Sequence, residues 1–137
     1  MFKKSLTYKD WNGVERTEEF RFNLSKTDIQ LLNAKHPGGL FNYMKSCYEA
    51  MDVPKMMDFF VMLIMESYGV VSEDGRRFEK SPELSKAFQE TKAFDEIFQW
   101  LYNEKGAINE FLTKVVPDDL ASKVTEALND AKSLPEG

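Results

Sequence analysis

A chain of 137 residues with 42% hydrophobic and 30% charged residues has the length and composition of one globular domain, not of a disordered segment. Its net charge of −5 and pI near 5.0 argue against nucleic-acid binding, which draws on phosphate neutralisation by Lys and Arg. Cys47 is the sole cysteine, which excludes an intrachain disulfide and suits a reducing compartment.

In chain order, residues 2–8 and 14–22 read as two strands, with Phe2, Leu6, Tyr8, Phe20 and Phe22 alternating along them. Asn12-Gly13 between them supplies the positive φ of a tight turn, so an N-terminal β-hairpin over 2–22 is expected. Ser25 reads as an N-cap and Asp28 as the partner in a variant capping box. The short helix they start carries Ile29, Leu31 and Leu32 and ends at His36-Pro37-Gly38-Gly39. Leu40, Tyr43, Met44, Cys47 and Met51 mark a second helix over about 40–51. Pro54 is placed to open a third, about 54–68, that is apolar almost all round and therefore central; Gly69 follows as its C-cap.

Residues 70–80 read as a small hairpin or ordered loop around Asp74-Gly75. Ser81-Pro82-Glu83 begins a helix with Leu84, Ala87 and Phe88 on its apolar face. Thr91 caps the next, which carries Phe94, Ile97, Phe98, Leu101 and Tyr102. Gly106 interrupts it; Ile108, Phe111, Leu112 and Val115 mark another helix, stopped by Pro117. A last segment, 118–132, aligns Leu120, Val124, Ala127, Leu128 and Ala131, and 133–137 are expected to fray. The sum is a single α+β domain over 1–137, predominantly α-helical. It comprises an N-terminal β-hairpin and a helical body over 26–132 with about six helices.

Catalytic chemistry finds little support. Nucleophilic catalysis needs a nucleophile, a base and an orienting group, and the chain has one histidine and one cysteine. His36 reads as a turn or cap residue and Cys47 as a small buried hydrophobe. A zinc site would need carboxylates for most of its ligands, and neither Glu18-Glu19 nor Asp118-Asp119 repeats the alternation of a calcium loop. Arg76-Arg77, beside Glu73, Asp74 and Glu79, reads as a solvated turn and not as a phosphate site. No catalytic residue, metal or cofactor is expected. Nor is a signal peptide or membrane span: Met1-Phe2-Lys3-Lys4 leads into polar residues, and the apolar run 56–65 is short and broken by Asp58. The methionines Met44, Met51, Met56, Met57, Met62 and Met65 read mostly as core, with some open to a second chain. Trp100 and Tyr102 flank their helix's apolar stripe as candidate anchors.

Two segments carry a resemblance. The opening Tyr8-Lys9-Asp10-Trp11-Asn12-Gly13-Val14-Glu15-Arg16-Thr17-Glu18-Glu19-Phe20 and the glycine-marked middle, Ser67 to Thr91, resemble the tail assembly chaperones of long-tailed, siphovirus-type bacteriophages and prophages of Gram-positive bacteria. Ala93-Phe94-Asp95-Glu96-Ile97-Phe98 and the stretch Ala107 to Asp119 extend it over most of the chain. Lys92 departs from the acidic residue expected after Thr91. The resemblance implies no catalytic residue. It implies binding and solubilisation of the elongated tape measure protein, recruitment of tail tube protein, self-association, action in the host cytoplasm and absence from the finished virion. It also implies that many such proteins have a longer form made by frameshifting. The partner contact is expected on the 54–68 and 94–102 helices, through Met56, Phe59, Phe60, Leu63, Phe94, Ile97, Phe98, Trp100 and Leu101. The rival readings are a structural tail or connector component of the virion, a small carboxylate enzyme, and a regulatory module for a host protein.

Overall fold

The structure, a computed structural model, describes residues 1–132, with side chains through residue 130; the expectation for 133–137 lies outside the described residues. Strands β1 (Phe2–Lys9) and β2 (Glu15–Phe22) pair antiparallel from Phe2↔Phe22 to Lys9↔Glu15. Their connection spans 10–14, longer than a two-residue turn. Only Gly13 takes positive φ (79°), and the Asp10 carboxylate accepts the N–H groups of Asn12 and Val14 at 2.9 and 3.0 Å. A three-residue turn with glycine in the left-handed position gives this geometry.

Seven α-helices follow among the described residues: α1 (Lys26–Lys35), α2 (Leu40–Glu49), α3 (Val53–Ser67), α4 (Pro82–Gln89), α5 (Lys92–Asn103), α6 (Ala107–Val115) and α7 (Ala121–Lys132). A short 3₁₀ turn, Asp118–Leu120, precedes α7. Local chemistry sets the starts. Ser25 and Asp28 form a reciprocal capping box at α1. Ser81 and Thr91 each accept the N–H three residues on, from Leu84 (3.1 Å) and Phe94 (3.3 Å).

Strand β3 (Tyr68–Val71) leaves α3 directly and pairs with β2 only at Arg21↔Gly69 and Phe22↔Tyr68; β4 (Phe78–Glu79) pairs with β3. The sheet is therefore four-stranded and antiparallel, in the order β1-β2-β3-β4. Gly69 is not the C-cap of α3: Tyr68 holds that position in extended conformation, and Gly69 lies in β3. The glycine is required there for space, because a Cβ would lie 2.6 Å from the Phe78 ring and 2.9 Å from the Glu79 carbonyl oxygen. Helix α2 also ends early, at Glu49; Met51 takes left-handed φ (51°) and turns the chain into α3.

One contiguous core joins sheet and helices. Phe22 is fully buried, edge-on to Phe111 (5.5 Å) and Phe88 (6.0 Å), and Phe2 stacks on Trp100 (5.6 Å). The inner face of the hairpin base thus lies on α4, α5 and α6. The distal half of the hairpin, beyond the short pairing with β3, extends from the sheet as a two-stranded arm. At the sheet's base the Lys80 ammonium donates to Asn23 O (3.1 Å), Glu66 O (2.9 Å) and Asp28 Oδ2 (2.8 Å). It thereby ties the β2–α1 link, the end of α3 and the capping box together.

Candidate interaction surfaces

The lone histidine and cysteine have structural surroundings. His36 caps α1, its Nδ1 lying 2.7 Å from the Leu32 carbonyl and its ring 4.8 Å from that of Tyr43. Cys47 is buried and free. Among the described residues no three His, Cys, Asp or Glu side chains group as a metal site, and no helix is long and apolar enough to cross a membrane. Arg77 pairs with Glu79 (3.3 Å) in the exposed turn between β3 and β4.

The nine residues expected at a partner contact divide by burial. Phe59, Phe60, Leu63, Ile97, Phe98 and Leu101 are buried where α3 and α5 pack together, while Met56, Phe94 and Trp100 are half-buried. At the margin of that packing lies a different set on α3: Val53, Met57, Val61 and Met65, at spacing four, form one row along the helix, about 18 Å long at 1.5 Å per residue, exposed at its N-terminal end and with Val61 packed against the core. Val53 (44%) and Met57 (38%) are exposed, Val61 and Met65 half-buried. Met51 (61%), in the turn before the helix, is exposed as well, and exposed Tyr102, stacked on Phe98, lies edge-on to Phe60. Of the six clustered methionines Met44 is fully buried and Met62 packs half-buried against the core; Met56 and Met65 are half-buried and Met51 and Met57 exposed, so the reading of most of them as core holds only in part. An almost all-round apolar helix signalled that a face could stay uncovered, but periodicity discriminates faces poorly when the only polar residues are Lys55, Asp58, Glu66 and Ser67.

A slot of 460 Å³ lies between the β1–β2 arm and α4. The tip of the arm roofs it: the Trp11 indole N–H donates to Glu90 O (3.0 Å), and the Lys92 ammonium sits 5.0 Å over the Trp11 ring. Tyr8, Phe20, Tyr68 and Phe88 make a continuous aromatic wall, with centroids 6.3 Å (Tyr8–Phe20), 5.3 Å (Phe20–Phe88) and 4.1 Å (Tyr68–Phe88, stacked). The Tyr8 hydroxyl donates to Glu18 Oε1. Burial, reinforced by that carboxylate, pushes the Tyr8 hydroxyl up to about 12. A second, more polar cleft of 540 Å³ lies between α1, α2 and α7; two of its three lysines are ion-paired, Lys26 to Asp119 (3.3 Å) and Lys45 to Asp130 (3.6 Å).

The described surface thus carries a partly exposed apolar row, an aromatic slot and a polar cleft. In the comparison with protein families the phage tail assembly chaperone model matches residues 1–136, and the chain belongs to that family. No curated protein and no solved structure matches it.

Proposed function

We propose that this tail assembly chaperone acts on the tape measure protein of a long-tailed phage or prophage of a Gram-positive host. It would keep that elongated apolar chain soluble in the host cytoplasm until tail tube subunits replace it. The action is stoichiometric and non-catalytic, and the chaperone leaves before the virion is complete. The observation that carries the reading is the family match over nearly the whole chain, joined to the partly exposed apolar row on α3.

In the proposed mode an apolar stripe of the tape measure protein lies along Val53, Met57, Val61 and Met65. Met56, Phe94 and Trp100 of the expected set lie on the same two helices, and the six buried residues form the rigid floor. The driving force is apolar burial, about 25 cal/mol per Å² before association costs are subtracted. Self-association would use the same kind of surface while no partner is present.

The test is a pull-down of the tagged protein from induced or infected cells, with mass spectrometry of what is bound and of purified particles. Recovery of one very long phage protein, with the chaperone missing from particles, supports the reading. Retention of the chain in particles, bound only to head or tube proteins, replaces it with a structural tail or connector component.

A further inference from the structure

We propose that the slot beneath the β1–β2 arm receives an arginine side chain from a partner polypeptide. Three features of the slot specify that chemistry, independently of which protein supplies the arginine.

The first is shape and surface. The wall of Tyr8, Phe20 and Tyr68 offers aromatic faces in a space of 460 Å³, which suits a planar group that stacks. A guanidinium is planar, weakly hydrated and attracted to ring faces, so it tolerates such a wall better than an ammonium does.

The second is charge. Glu18 lines the slot, and among the described residues it forms no ion pair. Two cations share the lining, each with a nearer partner: Arg16 holds Asp10 through Nε at 2.7 Å while its charge also reaches Glu18, and Lys92 lies over Trp11. Glu18 receives a single hydrogen bond, from the Tyr8 hydroxyl to Oε1, and its Oε2 has no partner among the described residues. A carboxylate so placed offers a guanidinium a charge-assisted bond at the edge of the stack.

The third is pre-formation. The arm pairs with β3 only at Arg21 and Phe22, yet its tip is pinned to the α4–α5 junction by the Trp11 indole. A two-stranded ribbon is marginal in isolation, and this tether, together with Tyr8 and Phe20 packed against the core, keeps the arm on the body. A site formed in advance spares the ordering cost of binding.

The test uses the intact protein labelled with ¹⁵N, titrated with Nα-acetyl-arginine amide and separately with Nα-acetyl-citrulline amide, the planar neutral isostere. The arginine compound is expected to shift the Trp11 indole and the Glu18, Phe20 and Tyr68 amides with saturation, at a dissociation constant on the order of 1–10 mM. Citrulline is expected to produce no saturating shift. Glu18→Gln, an exposed substitution, is expected to weaken arginine binding at least about fivefold with thermal stability unchanged. Equal responses to the two compounds, unchanged affinity in Glu18→Gln, or shifts confined to other parts of the molecule would overturn the proposal. The comparison of the two compounds on the unaltered protein decides the matter even if the variant folds poorly.

Discussion

At the residue scale, Lys80 shows how one side chain can hold several elements. Its three acceptors lie 57, 52 and 14 residues before it in sequence, and two of them are main-chain carbonyls. Lys80→Met keeps the stem and removes the donors, so it is expected to cost about 1–3 kcal/mol in urea denaturation. Asp28 reports on the same contact. Burial pulls its carboxyl upward, but the bonds from Lys80 and Ser25 outweigh that and hold it below the ordinary 3.8. A carboxyl depressed by folding contributes fully above its unfolded value, and that contribution disappears as pH falls through the folded one. Denaturation midpoints below pH 4 should therefore drop less steeply in Asp28→Asn than in the unaltered protein. Parallel curves would mean that the Lys80–Asp28 pair contributes nothing. The Ser25–Asp28 bond was readable from sequence, but the contacts of Lys80 were not, because contacts across the fold leave no periodic trace.

At the element scale the sequence was far more informative. Ser25 with Asp28, Ser81 before Pro82, and Thr91 are local devices whose partners lie three residues away, and all three start helices as expected. The readings that failed concern residues whose role depends on distant neighbours. Gly69 suits a helix cap by position, yet its reason lies in the Phe78 ring across β4. Gly69→Ala is expected to lower stability by about 1–3 kcal/mol as the strand or the ring shifts, which a thermal melt would register. Met51 is the converse case, a bulky residue held in left-handed conformation with most of its side chain in water. That backbone costs an L-residue roughly 1–2 kcal/mol, so Met51→Gly should gain about 0.5–1 kcal/mol despite the greater freedom of glycine in the unfolded chain. A destabilised Met51→Gly would show that the methionine has packing contacts worth more than the strain.

At the scale of the whole molecule, fold class followed from hydrophobic pattern, whereas the outward surface did not. Every position of α3 except a few is apolar, so sequence named the helix but chose Phe59, Phe60 and Leu63, which pack inward. The proposed docking face makes a separable prediction. Val53→Glu with Met57→Glu, both at exposed positions, should abolish capture of the tape measure protein in co-expression, with a melting temperature close to that of the unaltered chain. Lys80→Met should lower the melt and spare capture at low temperature. Loss of both properties in the double variant would place these residues in the core instead. The hairpin base also bears on synthesis. Phe2 and Phe22 leave the ribosome early, but the side chains that cover them, Trp100 and Phe111, come from helices made near the end. Throughout most of translation the first ribbon is therefore an amphipathic strand pair whose Phe2 and Phe22 lack part of their cover, so this protein, which belongs to a chaperone family, is itself open to aggregation until its sixth helix is made.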